Sequence, residues 1–183
     1  MKKLILCAFL LVLVIAGASF AYDRFADDYA PSEAIDPVGK PDTEKTEAPD
    51  FVVFDMDGNE VKLSDFKGKL VIANFWATWC GPCRSEMPGF DAVYKEYGDK
   101  IVFLMVNLPE GETAEDIKRF VKEGGYTFPV YIDSKNDAAI TYGINSVPAT
   151  LFVDREGFIA GAISGAMNEN TLRQYAETLL QLP

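Results

Sequence analysis

Two cysteines in the tetrapeptide Cys80-Gly81-Pro82-Cys83 constrain this chain more than any other feature. An almost continuous apolar run, Leu70–Trp76, precedes them, and apolar residues at three- and four-residue spacing follow them. The first pattern predicts a strand covered on both faces, and the second predicts an amphipathic helix. The cysteines are therefore expected where a buried strand gives way to a helix.

This position suits a reactive thiol, because the free N–H groups and the dipole at a helix start stabilise a thiolate. Gly81 allows a tight turn, and Pro82 fits the first helical turn because it has no N–H to leave unpaired. We predict that Cys80, upstream and exposed, attacks a disulfide and that Cys83 resolves the mixed disulfide. A purely structural disulfide is the alternative, although a two-residue loop constrains the unfolded chain very little.

The composition excludes several other chemistries. The 183 residues include no histidine, which removes Ser-His-Asp and Cys-His catalysis and most zinc and copper ligand sets. No metal site is predicted, since no second cysteine pair accompanies the first. The formal net charge of −11 would repel phosphate backbones, so nucleic acid is not an expected partner.

The N-terminal residues 1–21 have the pattern of an export signal. Lys2 and Lys3 precede an unbroken run of apolar and small residues, which ends in small residues suited to cleavage. The run could instead stay uncleaved as a membrane anchor, because it reaches the lower end of the length that spans a bilayer. Either interpretation places the rest of the chain outside the cytoplasm, in the periplasm or on the outer face of the membrane.

Two further regions follow this segment. Residues 22–48 are rich in acidic residues and proline and lack apolar periodicity, which predicts a flexible linker. Residues 49–183 begin with a β-hairpin signal around Asp57-Gly58-Asn59, with Val61-Lys62-Leu63 as the returning strand. Strands then alternate with helices, and Asn168 is a candidate cap of the last helix. The predicted class is α/β, a mixed sheet with helices on both faces plus an N-terminal β-hairpin.

The sequence around the cysteines resembles the thioredoxin superfamily. The resemblance lies in Phe75-Trp76-Ala77-Thr78-Trp79-Cys80-Gly81-Pro82-Cys83 and in Val147-Pro148. The continuation Arg84-x-Glu86-Met87-Pro88 is similar to the extracytoplasmic TlpA/ResA-like thiol–disulfide reductases. This resemblance covers about residues 49–182. It implies a thioredoxin-like fold, a redox-active Cys80–Cys83 disulfide and an oxidoreductase that needs no bound cofactor.

The resemblance also implies roles for residues outside the cysteine pair. Pro148 would be a cis-proline facing the disulfide, with Val147 pairing through its backbone with an extended substrate. From the sequence alone, Pro148 could equally be an ordinary proline at a strand start. Trp79, with Gly81 and Pro82, would form the substrate-facing surface, whereas Trp76 would pack inside the domain.

Proton transfer raises a separate question. Thioredoxin carries a buried aspartate where this chain has Asn74, and an amide cannot accept a proton from Cys83. The resemblance implies that Glu86, one helical turn beyond Cys83, handles protons near the cysteines. The alternative is that Glu86 is a solvated helix residue. If proton transfer is assisted, it falls to Glu86 or to water.

The resemblance implies protein disulfides as substrates, such as those of apocytochrome c or of cell-envelope enzymes. It implies a membrane electron donor of the CcdA/DsbD type, and we expect a monomer. The Gly-Pro dipeptide between the cysteines matches thioredoxin, whose potential of about −270 mV favours reduction of substrates. Two alternatives stay open, a peroxiredoxin-like thiol peroxidase and a non-enzymatic Sco-like copper-delivery protein. The Sco-like relatives, however, use a histidine and a wider cysteine spacing.

Overall fold

The computed structural model of the protein describes residues 45–182. In this range the elements are β1 (Val52–Asp55), β2 (Glu60–Lys62), a 3₁₀ helix (Leu63–Phe66), β3 (Leu70–Trp76), α1 (Gly81–Tyr97), β4 (Ile101–Asn107), α2 (Ala114–Gly124), β5 (Val130–Ile132), α3 (Asp137–Thr141), β6 (Ala149–Val153), β7 (Ile159–Ser164) and α4 (Glu169–Leu180). The predicted export signal, residues 1–21, and most of the predicted linker lie outside the described residues. Among residues 45–182, no helix has the length and apolar character needed to cross a membrane.

The strands form a seven-stranded mixed sheet in the order β2-β1-β5-β4-β3-β6-β7. Strands β3, β4 and β5 are mutually parallel, and the other neighbouring pairs are antiparallel. The central pair, β3 and β4, runs in register from Leu70 opposite Ile101 to Trp76 opposite Asn107. The antiparallel β1–β2 hairpin lies at one edge, so the predicted mixed sheet and its N-terminal hairpin are confirmed.

Strand β3 is buried along its whole length because its alternating side chains enter two different cores. Ile72 and Trp76 pack in the core covered by α1, α2 and α4. Val71 and Phe75 pack in the core covered by α3 and the 3₁₀ helix. Helices therefore cover both faces of the sheet, as predicted. The continuous apolar run in the sequence reflects this double burial.

Side-chain caps fix the helix starts nearest the active-site side of the fold. Thr113 and Asp116 form a reciprocal box at α2, with N–H···O distances of 3.0 and 3.2 Å. Hydrogen bonds from Thr113 lower the pKa of Asp116 to about 2. Asn168 accepts a hydrogen bond of 2.9 Å from the Thr171 N–H and caps α4, as predicted.

Two boundaries differ from the sequence-based expectation. Leu63, expected in the returning strand of the hairpin, instead begins the 3₁₀ helix, because the Asp65 carboxylate accepts a hydrogen bond from the Lys62 N–H and caps that turn. Residues 46–48, assigned to the linker, pair with residues 157–159 through two backbone hydrogen bonds of 2.8 Å. Backbone pairing in the domain therefore begins before residue 49.

Candidate active site

The carboxyl end of β3 delivers the cysteine pair to the start of α1. Cys80 is the N-cap of this helix, and Cys83 lies in its first turn. The two form a disulfide with an S–S distance of 2.13 Å. The Cys83 N–H donates a hydrogen bond of 3.1 Å to the Cys80 Sγ. After reduction, the same N–H and the helix start can stabilise a thiolate at Cys80.

The accessibility of the cysteines is smaller than expected. Cys80 is 4% exposed and Cys83 is fully buried. The expectation of an exposed Cys80 is wrong, because its sulfur packs into the core that α1 covers and lies 3.6 Å from the Val147 carbonyl oxygen. Cys80 is nevertheless the more accessible of the two, as an attacking thiol must be.

The loop before β6 lies against the disulfide. The Val147–Pro148 peptide bond is cis. The Gly165 N–H donates a hydrogen bond of 2.8 Å to the Pro148 carbonyl, which ties this loop to the end of β7. The structure therefore brings Val147 beside Cys80, a proximity that the sequence implied only through family resemblance.

Exposed residues surround the entrance to the cysteine pair. Trp79 is 54% exposed and directly precedes Cys80, and Gly81 and Pro82 are exposed as well. Trp76, by contrast, is fully buried, with its ring centroid 5.4 Å from that of Phe120. The two tryptophans thus divide as expected, with Trp79 on the surface and Trp76 inside the domain.

Glu86 lies inside the domain, one helical turn beyond Cys83. Its side chain is only 3% exposed, so the alternative of a solvated helix residue is wrong. Its Oε1 accepts a hydrogen bond of 2.9 Å from the Asn74 Nδ2, and its Oε2 accepts one of 2.9 Å from the Met167 N–H. Burial raises the pKa of Glu86, although both hydrogen bonds act in the opposite direction. Glu86 therefore holds a proton more readily than an exposed glutamate does.

Asn74 connects Glu86 to the sheet. Its Nδ2 also donates a hydrogen bond of 3.1 Å to the Thr150 hydroxyl, and its Oδ1 has no partner. Because an amide carries both donors and an acceptor, rotation of Asn74 can match either protonation state of Glu86. A polar residue in an apolar strand needs a buried partner, and this rule could have indicated from the sequence that Asn74 is hydrogen-bonded inside the domain.

A second asparagine and glutamate, the buried Asn107 and the half-buried Glu112, were not singled out from the sequence. Asn107 ends β4 directly opposite Trp76 and is fully buried. Both atoms of its amide and both carboxylate oxygens of Glu112 are shielded from solvent without a hydrogen-bond partner. Burial raises the pKa of Glu112. The polar residue that ends an otherwise apolar strand was the available signal for Asn107, and no such signal marked Glu112.

The comparisons with known proteins agree with this geometry. The AhpC/TSA family model matches residues 45–162. The chain belongs to this family. It is also 34% identical over 179 residues to the thiol-disulfide oxidoreductase ResA of Bacillus cereus, across 98% of this chain and 99% of ResA.

Solved structures show the same fold. StoA from Bacillus subtilis matches with a TM-score of 0.61 and 28% identity over 69% of this chain and 96% of StoA. The exposed lipoprotein thioredoxin Etrx1 from Streptococcus pneumoniae matches with a TM-score of 0.61 and 37% identity over 70% of this chain and 98% of Etrx1. The protein is a thiol–disulfide oxidoreductase with a thioredoxin-like fold. The predicted family, fold class and enzyme class are therefore confirmed.

Proposed function

We propose that this thiol–disulfide oxidoreductase reduces protein disulfides outside the cytoplasm. The observation that carries the proposal is the position of Cys80 at the N-cap of α1, with the Cys83 N–H 3.1 Å from its sulfur. This arrangement stabilises the thiolate that attacks a disulfide. Cys83, buried directly behind it, can then close the internal disulfide and release the substrate.

The reaction consists of two exchanges. The Cys80 thiolate attacks one sulfur of the substrate disulfide, that S–S bond breaks, and the departing sulfur leaves as a thiolate that takes up a proton. Cys83 then loses its proton and attacks the Cys80 sulfur. The bond between Cys80 and the substrate breaks, and the second substrate sulfur leaves. Two electrons have passed to the substrate, and a dithiol donor must reduce the Cys80–Cys83 disulfide again.

In this proposal Glu86 accepts the proton from Cys83. Both residues are buried and lie three positions apart on α1, which places them on adjacent turns of the same side. The raised pKa of Glu86 brings it closer to that of a thiol, which favours transfer between the two. Asn74 can stay hydrogen-bonded to Glu86 before and after proton transfer, because its amide can donate to the carboxylate or accept from the protonated acid.

Substrate recognition uses the surface around Cys80. The exposed Trp79 offers apolar contact area, and the small exposed surface of Gly81 and Pro82 lets a substrate chain approach the sulfur. The backbone of Val147, beside Cys80, pairs with an extended segment of the substrate, and cis-Pro148 shapes that loop. An extended chain bound through backbone groups suits many sequences, as expected for a reductase of varied proteins.

The cellular setting is part of the proposal. Residues 1–21 export the chain or anchor it, residues 22–45 act as the linker, and the redox domain works as a monomer. The sequence pattern of the export segment supports this location, as does the description of Etrx1 as an exposed lipoprotein. Apocytochrome c or cell-envelope enzymes are the proposed substrates, and a CcdA/DsbD-type membrane protein is the proposed donor.

A trapping experiment tests the function and its direction. In the Cys83→Ser variant, Cys80 can attack a disulfide but cannot be released, so mixed disulfides should accumulate in intact cells. A protein that oxidises dithiols would need the internal disulfide, which this variant cannot form. We therefore expect protein partners linked to Cys80, identified by mass spectrometry after purification of the full-length chain.

The Cys80→Ser/Cys83→Ser double variant is the matched control and should trap nothing. The proposal fails if Cys83→Ser traps no protein and if Cys80→Ser reduces disulfides as fast as the wild type. Rapid consumption of hydrogen peroxide by the purified wild type, without reduction of protein disulfides, would instead support the peroxidase alternative.

A further inference from the structure

A second buried carboxyl group lies beside the cysteine loop. Glu112 belongs to the segment between β4 and α2, and both of its carboxylate oxygens are shielded from solvent without a hydrogen-bond partner. A buried carboxylate without partners is costly, and such groups cluster at functional sites. The proposed proton transfer through Glu86 makes no use of Glu112, so its burial calls for a separate explanation.

The backbone fixes the position of Glu112 from both ends of its loop. On one side, the Leu108 N–H donates a hydrogen bond of 2.9 Å to the Trp76 carbonyl, at the end of the strand that leads to the cysteines. On the other side, the Thr113–Asp116 box anchors the start of α2. Glu112 is therefore held next to the segment that carries Thr78, Trp79 and Cys80.

The groups around Glu112 are polar and also lack partners. Its carboxylate faces the Thr78 N–H and the Asn107 side chain, and both interactions lower its pKa. Neither group reaches hydrogen-bond geometry with it in the oxidised protein. The amide of Asn107 and the Nε1 of Trp76 are likewise buried without a partner. These groups could pair after a small adjustment of the cysteine loop, because active-site hydrogen bonds often tighten only in the substrate complex.

We propose that Glu112 is a positioning residue, whose carboxylate accepts a hydrogen bond from the Thr78 N–H when a protein substrate engages Trp79. The inference rests on the proposed reduction of protein disulfides. The hydrogen bond holds the segment from Thr78 to Cys80 while the substrate chain lies across it. Asn107 supports the carboxyl group in either protonation state, since its amide can donate or accept.

This role predicts a difference between large and small substrates. A protein substrate contacts the exposed Trp79, whose backbone adjoins Thr78, and needs this surface to be held in place. A small disulfide such as hydroxyethyl disulfide reaches the Cys80 sulfur without covering Trp79. The contribution of Glu112 should therefore appear with protein disulfides and be nearly absent with small ones.

Kinetics of the full-length chain test this expectation. We expect Glu112→Ala to lower kcat/KM for insulin disulfides about tenfold, chiefly through KM, as loss of one well-placed hydrogen bond would. Its rate with hydroxyethyl disulfide should stay within about twofold of the wild type, and Glu112→Gln should restore reduction of insulin because its amide oxygen still accepts. Glu110→Ala, which removes an exposed carboxyl group from the same loop, is the matched control.

A second measurement does not depend on catalytic activity. A short cysteine peptide is coupled chemically to Cys80 in Cys83→Ser, and exchange of the Thr78 N–H is followed by NMR. Coupling of the peptide should slow exchange of the Thr78 N–H about tenfold. Adding Glu112→Ala to this protein should abolish the protection, whereas adding Glu112→Gln should leave it in place.

The outcomes separate the two proposals. If the wild type reduces no protein disulfide, the proposed function fails, and the exchange of the Thr78 N–H alone decides the role of Glu112. If the wild type is active, the positioning role is overturned when Glu112→Ala matches the wild type on insulin. It is also overturned when both substrates are affected equally, when Glu112→Gln is as impaired as Glu112→Ala, or when coupling leaves exchange of the Thr78 N–H unchanged.

Discussion

Two buried asparagines, Asn74 and Asn107, lie beside Trp76 on the same face of the sheet, and each forms a pair with a glutamate whose carboxylate is shielded from solvent. Asn74 precedes Trp76 by two residues on β3, and Asn107 lies opposite Trp76 on β4. Asn74 and Glu86 are joined by a hydrogen bond of 2.9 Å, and the second oxygen of Glu86 is also paired. Asn107 and Glu112 face each other with no hydrogen bond to either side chain.

The difference follows from what surrounds each glutamate. Glu86 projects from the long helix α1, and the backbone before α4 supplies the Met167 N–H at 2.9 Å. Glu112 projects from a loop, and its nearby donors belong to the cysteine segment and to Asn107. The same two residue types thus occur with both glutamate oxygens paired in one place and with neither paired in the other. A carboxyl group with both oxygens paired suits proton transfer at a fixed position, whereas an unpaired one can respond to a bound substrate.

The largest expected contrast is in the resolution of the mixed disulfide. Glu86→Gln removes the proposed proton acceptor, so attack by Cys83 should slow by about 10²-fold, a typical contribution of general base catalysis. Glu112→Gln keeps an acceptor for the Thr78 N–H and should leave this step within about twofold of the wild type. Rapid-quench measurement of substrate release from a preformed mixed disulfide at pH 7 provides both rates.

Fold integrity is a required control for this contrast. In Glu86→Gln, the new amide oxygen can still accept a hydrogen bond from the Met167 N–H. If the Asn74 amide rotates, the new amide NH₂ can donate to the Asn74 Oδ1. The melting temperature should therefore change little. Equal resolution rates in Glu86→Gln and the wild type would remove Glu86 from the mechanism. Slow resolution of the mixed disulfide in Glu112→Gln would show that the two pairs act on the same chemical step.

Replacing each asparagine with alanine should lower the free energy of unfolding by different amounts in the two pairs. Asn74→Ala leaves Glu86 and Thr150 without the donor they share, which should lower the free energy of unfolding by about 2 kcal/mol. Asn107→Ala removes an amide that makes no hydrogen bond, so we expect a loss of about 1 kcal/mol or less from packing alone. Urea denaturation of the oxidised proteins at pH 7 measures both. Equal losses would mean that Asn107 forms hydrogen bonds in solution.

The sequence predicted the frame of this site well because the frame depends on local patterns. The apolar run Leu70–Trp76 predicted β3 with its bounds, and Asn168 predicted the start of the last helix through a side-chain cap. The cysteine pair identified the chemistry through its spacing. These features depend on residues close together in the chain, where periodicity and capping rules apply.

The surroundings of the site depend on contacts between distant residues and were harder to predict. Glu86 is paired with the Met167 N–H, which lies 81 residues further along the chain. The burial of Cys80 results partly from Val147, 67 residues away. Glu112 drew no attention because an acidic residue before a helix is usually solvated. No local pattern shows that the register of β4 brings Asn107 opposite Trp76 and turns the loop carboxylate inward.

The smallest expected effect is in the pH dependence of stability. Burial raises the pKa of both Glu86 and Glu112 above the ordinary 4.5, so the folded protein binds these protons more tightly than the unfolded chain. The free energy of unfolding should therefore fall as pH rises from about 4.5 through each raised pKa.

Glu112→Gln removes one such contribution and should make the protein more stable at pH 7 by about 1 kcal/mol or less, with the gain vanishing near pH 4.5. Glu86→Gln should gain less, because hydrogen bonds from Asn74 and Met167 already stabilise its charged form. Urea denaturation between pH 4.5 and 7.5 tests this order, and a Glu112→Gln curve parallel to that of the wild type would show that Glu112 finds partners in the folded protein at neutral pH.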